Sequence, residues 1–233
     1  MCTSGFWKNK NGDIVFFKNR DNKYNHINER YEHINGGLYI RDDNDKFEGM
    51  NQYGVFIVEN TLVPTETEDK ENINDFIKQI LPVAKTPKEA LNFFVYEHKI
   101  HTFAAGLIIG NAEKVFFVEV VPNRLAYADI SEAPYFFITN HGQLLWNQGE
   151  PPEINPTRAR YALVRKLIEK VENTEDIKKM LAYHDGEASV CRHANVGKSH
   201  TQSSFLFYPN ERKAEIMIGG YPCEKEYETL YLK

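Results

Sequence analysis

Cysteine is scarce in this chain, and its three cysteines, Cys2, Cys191 and Cys223, are widely separated. Three scattered thiols cannot make a disulfide framework. Long apolar runs are absent too. None reaches the ~18 residues that a membrane helix needs, so no membrane partner is expected. Basic clusters are also missing. The net charge of -5 and pI near 5.9 give no electrostatic reason to expect nucleic acid. The first ten residues carry Lys8 and Lys10 with no apolar stretch behind them, so no secretory signal is read and a cytoplasmic protein is expected. There is no internal repeat, no low-complexity tract and no linker between composition zones, which favours one domain over residues 1–233. With 42% hydrophobic and 26% charged residues, the composition is that of an ordinary globular protein able to bury a substantial core.

The pattern of elements points to an α+β fold. Cys2–Trp7 and Asp13–Lys18 read as strands around the turn pair Asn11-Gly12. A polar segment, Asn19 to Glu32, follows. Strands resume at Gly37–Arg41 and Gly54–Asn60, and Thr61–Lys70 reads as a loop. Ile73, Phe76, Ile77 and Ile80 fall on one face of a helix spanning Glu71–Leu81. Thr86-Pro87-Lys88-Glu89 is a capping box with Pro at the first helical position, opening a helix to about His98. Four strands come next: Phe103–Gly110, Lys114–Val121, Leu125–Ile130 and Tyr135–Thr139. Two helices, from Thr157 and from Thr174, precede final strands at Ser203–Tyr208 and Lys213–Ile218. This order implies two sheets with helices on the outside.

Cys2 directly follows Met1. Removal of one methionine would leave a residue that carries both a thiol and a free α-amine. The two have pKa values of ~8.5 and ~8, so proton transfer between them is nearly thermoneutral. A cysteine here can equally be a small residue at the start of a buried strand. What tips the balance lies downstream. If the hairpin folds as read, Asp21 returns close to Cys2, where a carboxylate can order the amine or the thiol.

The opening Met1-Cys2-Thr3, the hairpin, and Lys18-Asn19-Arg20-Asp21 together resemble the start of an N-terminal nucleophile (Ntn) hydrolase. The nearest pattern is the linear-amide branch: bile salt hydrolases, penicillin V acylases and isopenicillin N acyltransferases. The bile salt hydrolase pattern has arginine where this chain has Lys18, which keeps the charge and loses the bidentate fork. Met50-Asn51-Gln52-Tyr53-Gly54-Val55 resembles the run that precedes the family's oxyanion asparagine. That role falls on Asn60, or on Thr61 in an ungapped alignment. Ile138-Thr139-Asn140-His141 resembles the family's Thr-Asn-His run, with Asn140 beside the amine or the oxyanion and His141 without catalytic duty. Thr157-Arg158-Ala159-Arg160 resembles a run whose arginine faces the nucleophile, and Arg158 is the better match. His184-Asp185-Gly186, Val190-Cys191-Arg192-His193 and Gly219-Gly220-Tyr221-Pro222-Cys223 resemble the C-terminal part of the acyltransferase branch.

The resemblance runs from Cys2 to about Cys223. It implies a four-layer αββα sandwich of two stacked antiparallel sheets. The activity implied is hydrolysis or acyl transfer at a linear amide through a thioester. The implied site is Cys2, Asp21, Asn60, Asn140 and Arg158, acting on a small N-acyl amide. No cofactor is implied, and a homo-oligomer stays open. The spacings of His184, Cys191, His193 and Cys223 fit no paired ligand scheme, so no metal is expected and the two downstream cysteines read as buried structural thiols. The Asn19-Arg20-Asp21 run leaves a second reading open, a non-catalytic binding or trafficking protein on the same fold.

Overall fold

The Asn11-Gly12 hairpin begins the first sheet. β1 (Thr3–Lys8) and β2 (Ile14–Asn22) pair antiparallel, with Thr3 opposite Asn19 and Lys8 opposite Ile14. Gly12 takes the positive φ of 87° that the tight turn asks for. The computed structural model describes residues 2–22, 28–62, 73–97, 103–145, 156–194 and 199–233. The expected loop over Thr61–Lys70 lies mostly outside them.

Eleven further strands complete two antiparallel sheets: β3 (Arg30–Ile34), β4 (Gly37–Arg41), β5 (Phe47–Met50), β6 (Phe56–Thr61), β7 (Ala105–Gly110), β8 (Val115–Val121), β9 (Arg124–Asp129), β10 (Tyr135–Ile138), β11 (His200–Tyr208), β12 (Lys213–Ile218) and β13 (Glu228–Tyr231). The first sheet runs β10-β1-β2-β11-β12-β13 and the second is a meander from β3 to β9. Period-2 alternation assigns their faces. Phe6 and Phe16 from the first sheet meet Phe56, Val58 and Ile108 from the second in a shared core. There Phe16 stacks on Phe56 with ring centroids 4.5 Å apart.

The opposite faces take the helices. α1 (Ile73–Ile80) and α2 (Pro87–Glu97) bury Ile77, Leu91 and Phe94 against Val55, Ile57 and Leu107 of the second sheet. α3 (Pro156–Ile168) and α4 (Thr174–Leu181) bury Val164, Ile168 and Ile177 against Val15, Phe17 and Leu206 of the first. Each such side chain contributes roughly 1.5–3 kcal/mol on leaving water. The result is the αββα sandwich. The capping box forms at α2, where Glu89 N–H donates to Thr86 Oγ1 at 3.2 Å. Its return bond comes from the Lys85 N–H to Glu89 Oε2, 2.8 Å.

The aromatic pairs Phe93-Phe94 and Phe116-Phe117 sit in these cores, or against them, rather than around a ligand space. Close packing also explains Gly5 in β1. A Cβ there would lie 2.4 Å from Phe136 O and 2.5 Å from Phe17 Cζ, so any side chain would push β1 away from β10.

Candidate active site

Strand register brings the N-terminus to its partners. Ser4 lies opposite Ile138 and Gly5 opposite Phe137 in the β1–β10 pair. Carried two residues beyond the ladder, that register sets Cys2 against Asn140. The Cys2 nitrogen is 2.5 Å from Asn140 Oδ1. The β1–β2 register, carried one step past Thr3–Asn19, sets Cys2 beside Arg20 and Asp21. The Cys2 thiol lies 4.0 Å from the Asp21 carbonyl oxygen. Cys2 is 8% exposed, recessed yet not sealed off.

A second shell of charge holds Asn140. Arg160 in the first turns of α3 is fully buried and donates from Nη2 to the same Asn140 Oδ1 at 3.0 Å. Its Nη1 is 3.6 Å from Asp21 Oδ2. The other Asp21 oxygen accepts from Thr201 Oγ1 at 2.8 Å, a contact made because β11 sets Thr201 opposite Asp21 in the sheet. Arg192 Nε approaches Asp21 Oδ2 at 3.9 Å. Asn140 also donates one amide proton to Thr61 O at 2.8 Å, and its backbone N–H to Thr157 Oγ1 at 2.8 Å. One proton on Asn140 Nδ2 has no acceptor among the described residues.

The space between the sheets next to Cys2 is strongly charged. Lys18, with no exposure, donates to Glu48 Oε2 at 2.6 Å and to Glu59 O at 2.5 Å. Arg20 bonds Glu29 at 2.6 Å and also Asp42. Lys46 reaches Glu59 Oε1 at 2.9 Å. Burial alone would raise the Glu59 carboxyl, but Lys46 and Lys18 outweigh it and hold it at about 2. Arg20, Lys46 and Arg160 all lie within electrostatic range of the Cys2 thiol. Each of these cations is matched by a carboxylate: Lys18 by Glu48, Arg20 by Glu29 and Asp42, Lys46 by Glu59 and Arg160 by Asp21.

The model of the acyl-coenzyme A:6-aminopenicillanic acid acyl-transferase family matches residues 7–221. The chain belongs to that family. Solved structures agree on the fold. A mutant of the conjugated bile acid hydrolase from Clostridium perfringens superposes with a TM-score of 0.63 at 14% identity, covering 100% of this chain and 97% of that one. Penicillin V acylase from Agrobacterium tumefaciens gives 0.60 at 15% identity, covering 93% and 83%. The Caenorhabditis elegans ortholog of N-acylethanolamine-hydrolyzing acid amidase gives 0.58 at 13%, covering 89% and 93%. No curated protein sequence matches the chain. The fold of this family member is thus that of the Ntn hydrolases.

Not every residue that the family pattern pointed to lands in the expected place. Cys2, Asp21 and Asn140 converge. Asn60 is fully buried, and its Nδ2 donates to Ile138 O and Thr139 O, each at 3.2 Å. Its Oδ1 accepts from Ser4 Oγ. Both acceptors of the Asn60 amide are thus main-chain carbonyls at the end of β10. It holds β6 to the end of β10, which fixes Asn140 in turn.

Arg158 is the exception. Residues two apart on a helix do not share a face, and the position that meets Asn140 and Asp21 is Arg160. Arg158 lies near the His141 imidazole instead. A phase signal was available: Thr157, Arg160, Val164 and Ile168 form the buried face of α3, and Arg158 is off it. Asn51, within the family-like run, is structural. It donates to Leu81 O and Ala84 O at 2.7 Å and accepts from Tyr53 and Val55.

His141 Nδ1 sits 2.9 Å from Thr139 Oγ1 and 3.4 Å from Thr157 Oγ1. Burial, with Arg158 and Arg160 adding to it, pushes the imidazole down from 6.5 to about 4. The unfolded chain takes up this proton below about 6.5, so stability linked to His141 is full above that pH and is lost as pH falls toward about 4. His141→Gln should remove on the order of 2–3 kcal/mol of this acid sensitivity. Urea melts of both proteins at pH 7 and pH 4.5 check it. Equal losses of stability in the two would show that His141 titrates normally.

A second cluster lies apart from Cys2. The spacings of His184, Cys191, His193 and Cys223 fit no paired ligand scheme, yet the fold gathers them until their ligand atoms all lie within 4.8 Å of one another. Cys191 is buried as expected, whereas Cys223 is exposed.

Proposed function

We propose that this chain is an N-terminal cysteine hydrolase or acyltransferase that cleaves a linear N-acyl amide through a thioester. The observation that carries the reading is the Cys2 nitrogen held 2.5 Å from Asn140 Oδ1, with Arg160 on the same oxygen. Once Met1 is removed, that nitrogen is an α-amine. The Cys2 thiol attacks the acyl carbonyl and its proton passes to the amine. The amine delivers the proton to the departing nitrogen as the C–N bond breaks. Water or a second amine then attacks the thioester, with the same amine as base.

Asn140 takes two tasks. Its Oδ1 orients the amine, and its second amide proton is available to the oxyanion, a contribution of roughly 3–4 kcal/mol to the barrier. Asp21 and Arg160 position Asn140. The structural neighbours are named for conjugated bile acid, penicillin V and N-acylethanolamine, in each of which an acyl group sits on nitrogen. We place part of the substrate in a cavity of about 440 Å³ beside the site. Glu29, His200 and Tyr221 line it, and Thr201 links it to Asp21.

Intact mass is the direct test. The mature chain should be lighter by one methionine, and iodoacetamide should label Cys2 stoichiometrically and abolish turnover in a panel of N-acyl amides. A homogeneous chain that retains Met1 and is fully active would defeat the mechanism. A processed chain that turns over nothing in the panel would favour the binding or trafficking reading.

A further inference from the structure

Four side chains with metal-binding chemistry converge from three separate segments of the chain. His184 follows α4, Cys191 and His193 precede β11, and Cys223 follows β12. Cys191 Sγ and Cys223 Sγ are 3.5 Å apart, and His193 Nε2 is 3.2 Å from Cys223 Sγ. The His184 and His193 rings lie 4.9 Å apart, centroid to centroid.

A tetrahedral ion with bonds of ~2.3 Å to sulfur and ~2.0 Å to nitrogen sets its ligand atoms about 3.3–3.8 Å apart. The cluster is already close to that geometry. Two thiolates and two neutral imidazoles exactly balance a divalent charge, and a tetrahedral sulfur–nitrogen set selects zinc over hard cations. We propose that His184, Cys191, His193 and Cys223 form a structural zinc site.

The surroundings support this. Metal-bound histidines characteristically present their second ring nitrogen to a carboxylate. His193 Nδ1 lies 3.6 Å from Glu224 Oε1. Its ring is also stacked on Tyr221 at 3.8 Å, and the Tyr221 hydroxyl accepts from Ala194 N–H at 3.2 Å. Both features fix the imidazole plane. A bound divalent cation displaces both thiol protons and holds the two sulfurs together as thiolates. Cys223 and His184 are exposed, which supplies an entry path.

The site has a consequence for the centre that holds Cys2. Arg192 stands between two of the four ligands, Cys191 and His193. Its N–H donates to Thr201 Oγ1 at 3.0 Å, and its carbonyl accepts from Thr201 N at 2.8 Å. Thr201 and Arg192 both face Asp21. Zinc would therefore clamp the segment that anchors the Asp21 carboxylate, in a positioning role outside the chemistry.

The test does not depend on activity. Untagged protein is expressed with zinc in the medium, purified with a phosphine reductant and no chelator, and its zinc measured. One zinc per chain is expected. After removal of zinc, cobalt(II) should give thiolate charge-transfer bands and intense tetrahedral visible bands. Cys223→Ser, at an exposed position, should keep its circular dichroism and lose both the zinc and the bands, while Cys2→Ser keeps them. Protein that is isolated without zinc and shows no cobalt bands overturns the proposal. So does a Cys191–Cys223 disulfide that persists under reductant, or zinc content unchanged in Cys223→Ser.

Discussion

Cys2→Ser should yield a folded chain that turns over N-acyl amides at least about 1,000-fold more slowly. The hydroxyl has a far higher pKa than a thiol, so the adjacent amine cannot activate it. The amine itself, Asn140 and Arg160 are untouched, so the geometry survives. The loss should appear in kcat, with KM little changed, because the substrate's binding contacts remain. Cys191→Ser is a comparison of a different kind: it removes a proposed zinc ligand, so any loss in it should come with loss of zinc, whereas Cys2→Ser keeps its zinc. Steady-state kinetics on the best amide from a panel decide the matter, with thermal melts to verify folding. A folded Cys2→Ser chain that keeps its turnover would mean that Cys2 has no special part.

Arg160→Gln should lower kcat by about 100-fold, whereas Arg158→Gln should change it only a few-fold. The reason is the chain of contacts from Asp21 through Arg160 to Asn140 and the Cys2 nitrogen. Removing the guanidinium frees Asn140 to turn away and leaves the amine without a fixed direction. Breaking a buried pair also destabilises by roughly 3–5 kcal/mol, so a lower melting temperature alone would say nothing about catalysis. The discriminating measurement is a double-mutant cycle with Asp21→Asn. Residues that serve one nucleophile act as a unit, so the combined loss in kcat should be well below the product of the single losses. A multiplicative cycle, or a larger loss at Arg158, would refute the assignment.

Much of the scaffold could be read from the sequence because its signals are local. The Asn11-Gly12 turn, the Thr86–Glu89 cap and the helical spacing from Ile73 to Ile80 each need only neighbours along the chain. The strands that escaped had weak local patterns. β3 and β13 are short edge strands with exposed or half-buried side chains, and β3 carries the charges of Arg30 and Glu32, a usual defence of an open edge. β5 carries Glu48, which is tolerable in a buried strand only because Lys18 neutralises it. For the same reason β2 runs on through Asn19, Arg20 and Asp21, a polar string that ends a strand on paper but finds partners in space.

The site divides along the same line. Cys2, Asp21 and Asn140 were accessible because strand register and family pattern agree on them. Helix phase could have chosen Arg160 over Arg158. Thr201 and Arg192 could not be found this way, because their roles arise from pairing across the sheet. The convergence of the four metal-type ligands was equally hidden, since ligand spacing along the chain says nothing about segments brought together by β11 and β12.

The central ladder of the first sheet joins β2 to β11, setting Thr201 against Asp21 across 180 residues of sequence. While the chain emerges from the ribosome, β1 and β2 are made first but must wait for β11. Until then β2 has an open edge, and the Asp21 carboxylate lacks its Thr201 hydroxyl. Long-range pairing of this kind is slow and leaves nascent strands exposed to aggregation. It also acts as a timer. On the proposed mechanism Cys2, although among the first residues synthesised, meets its partners among the last, so a nascent or prematurely terminated chain carries the cysteine without the apparatus that would make it reactive.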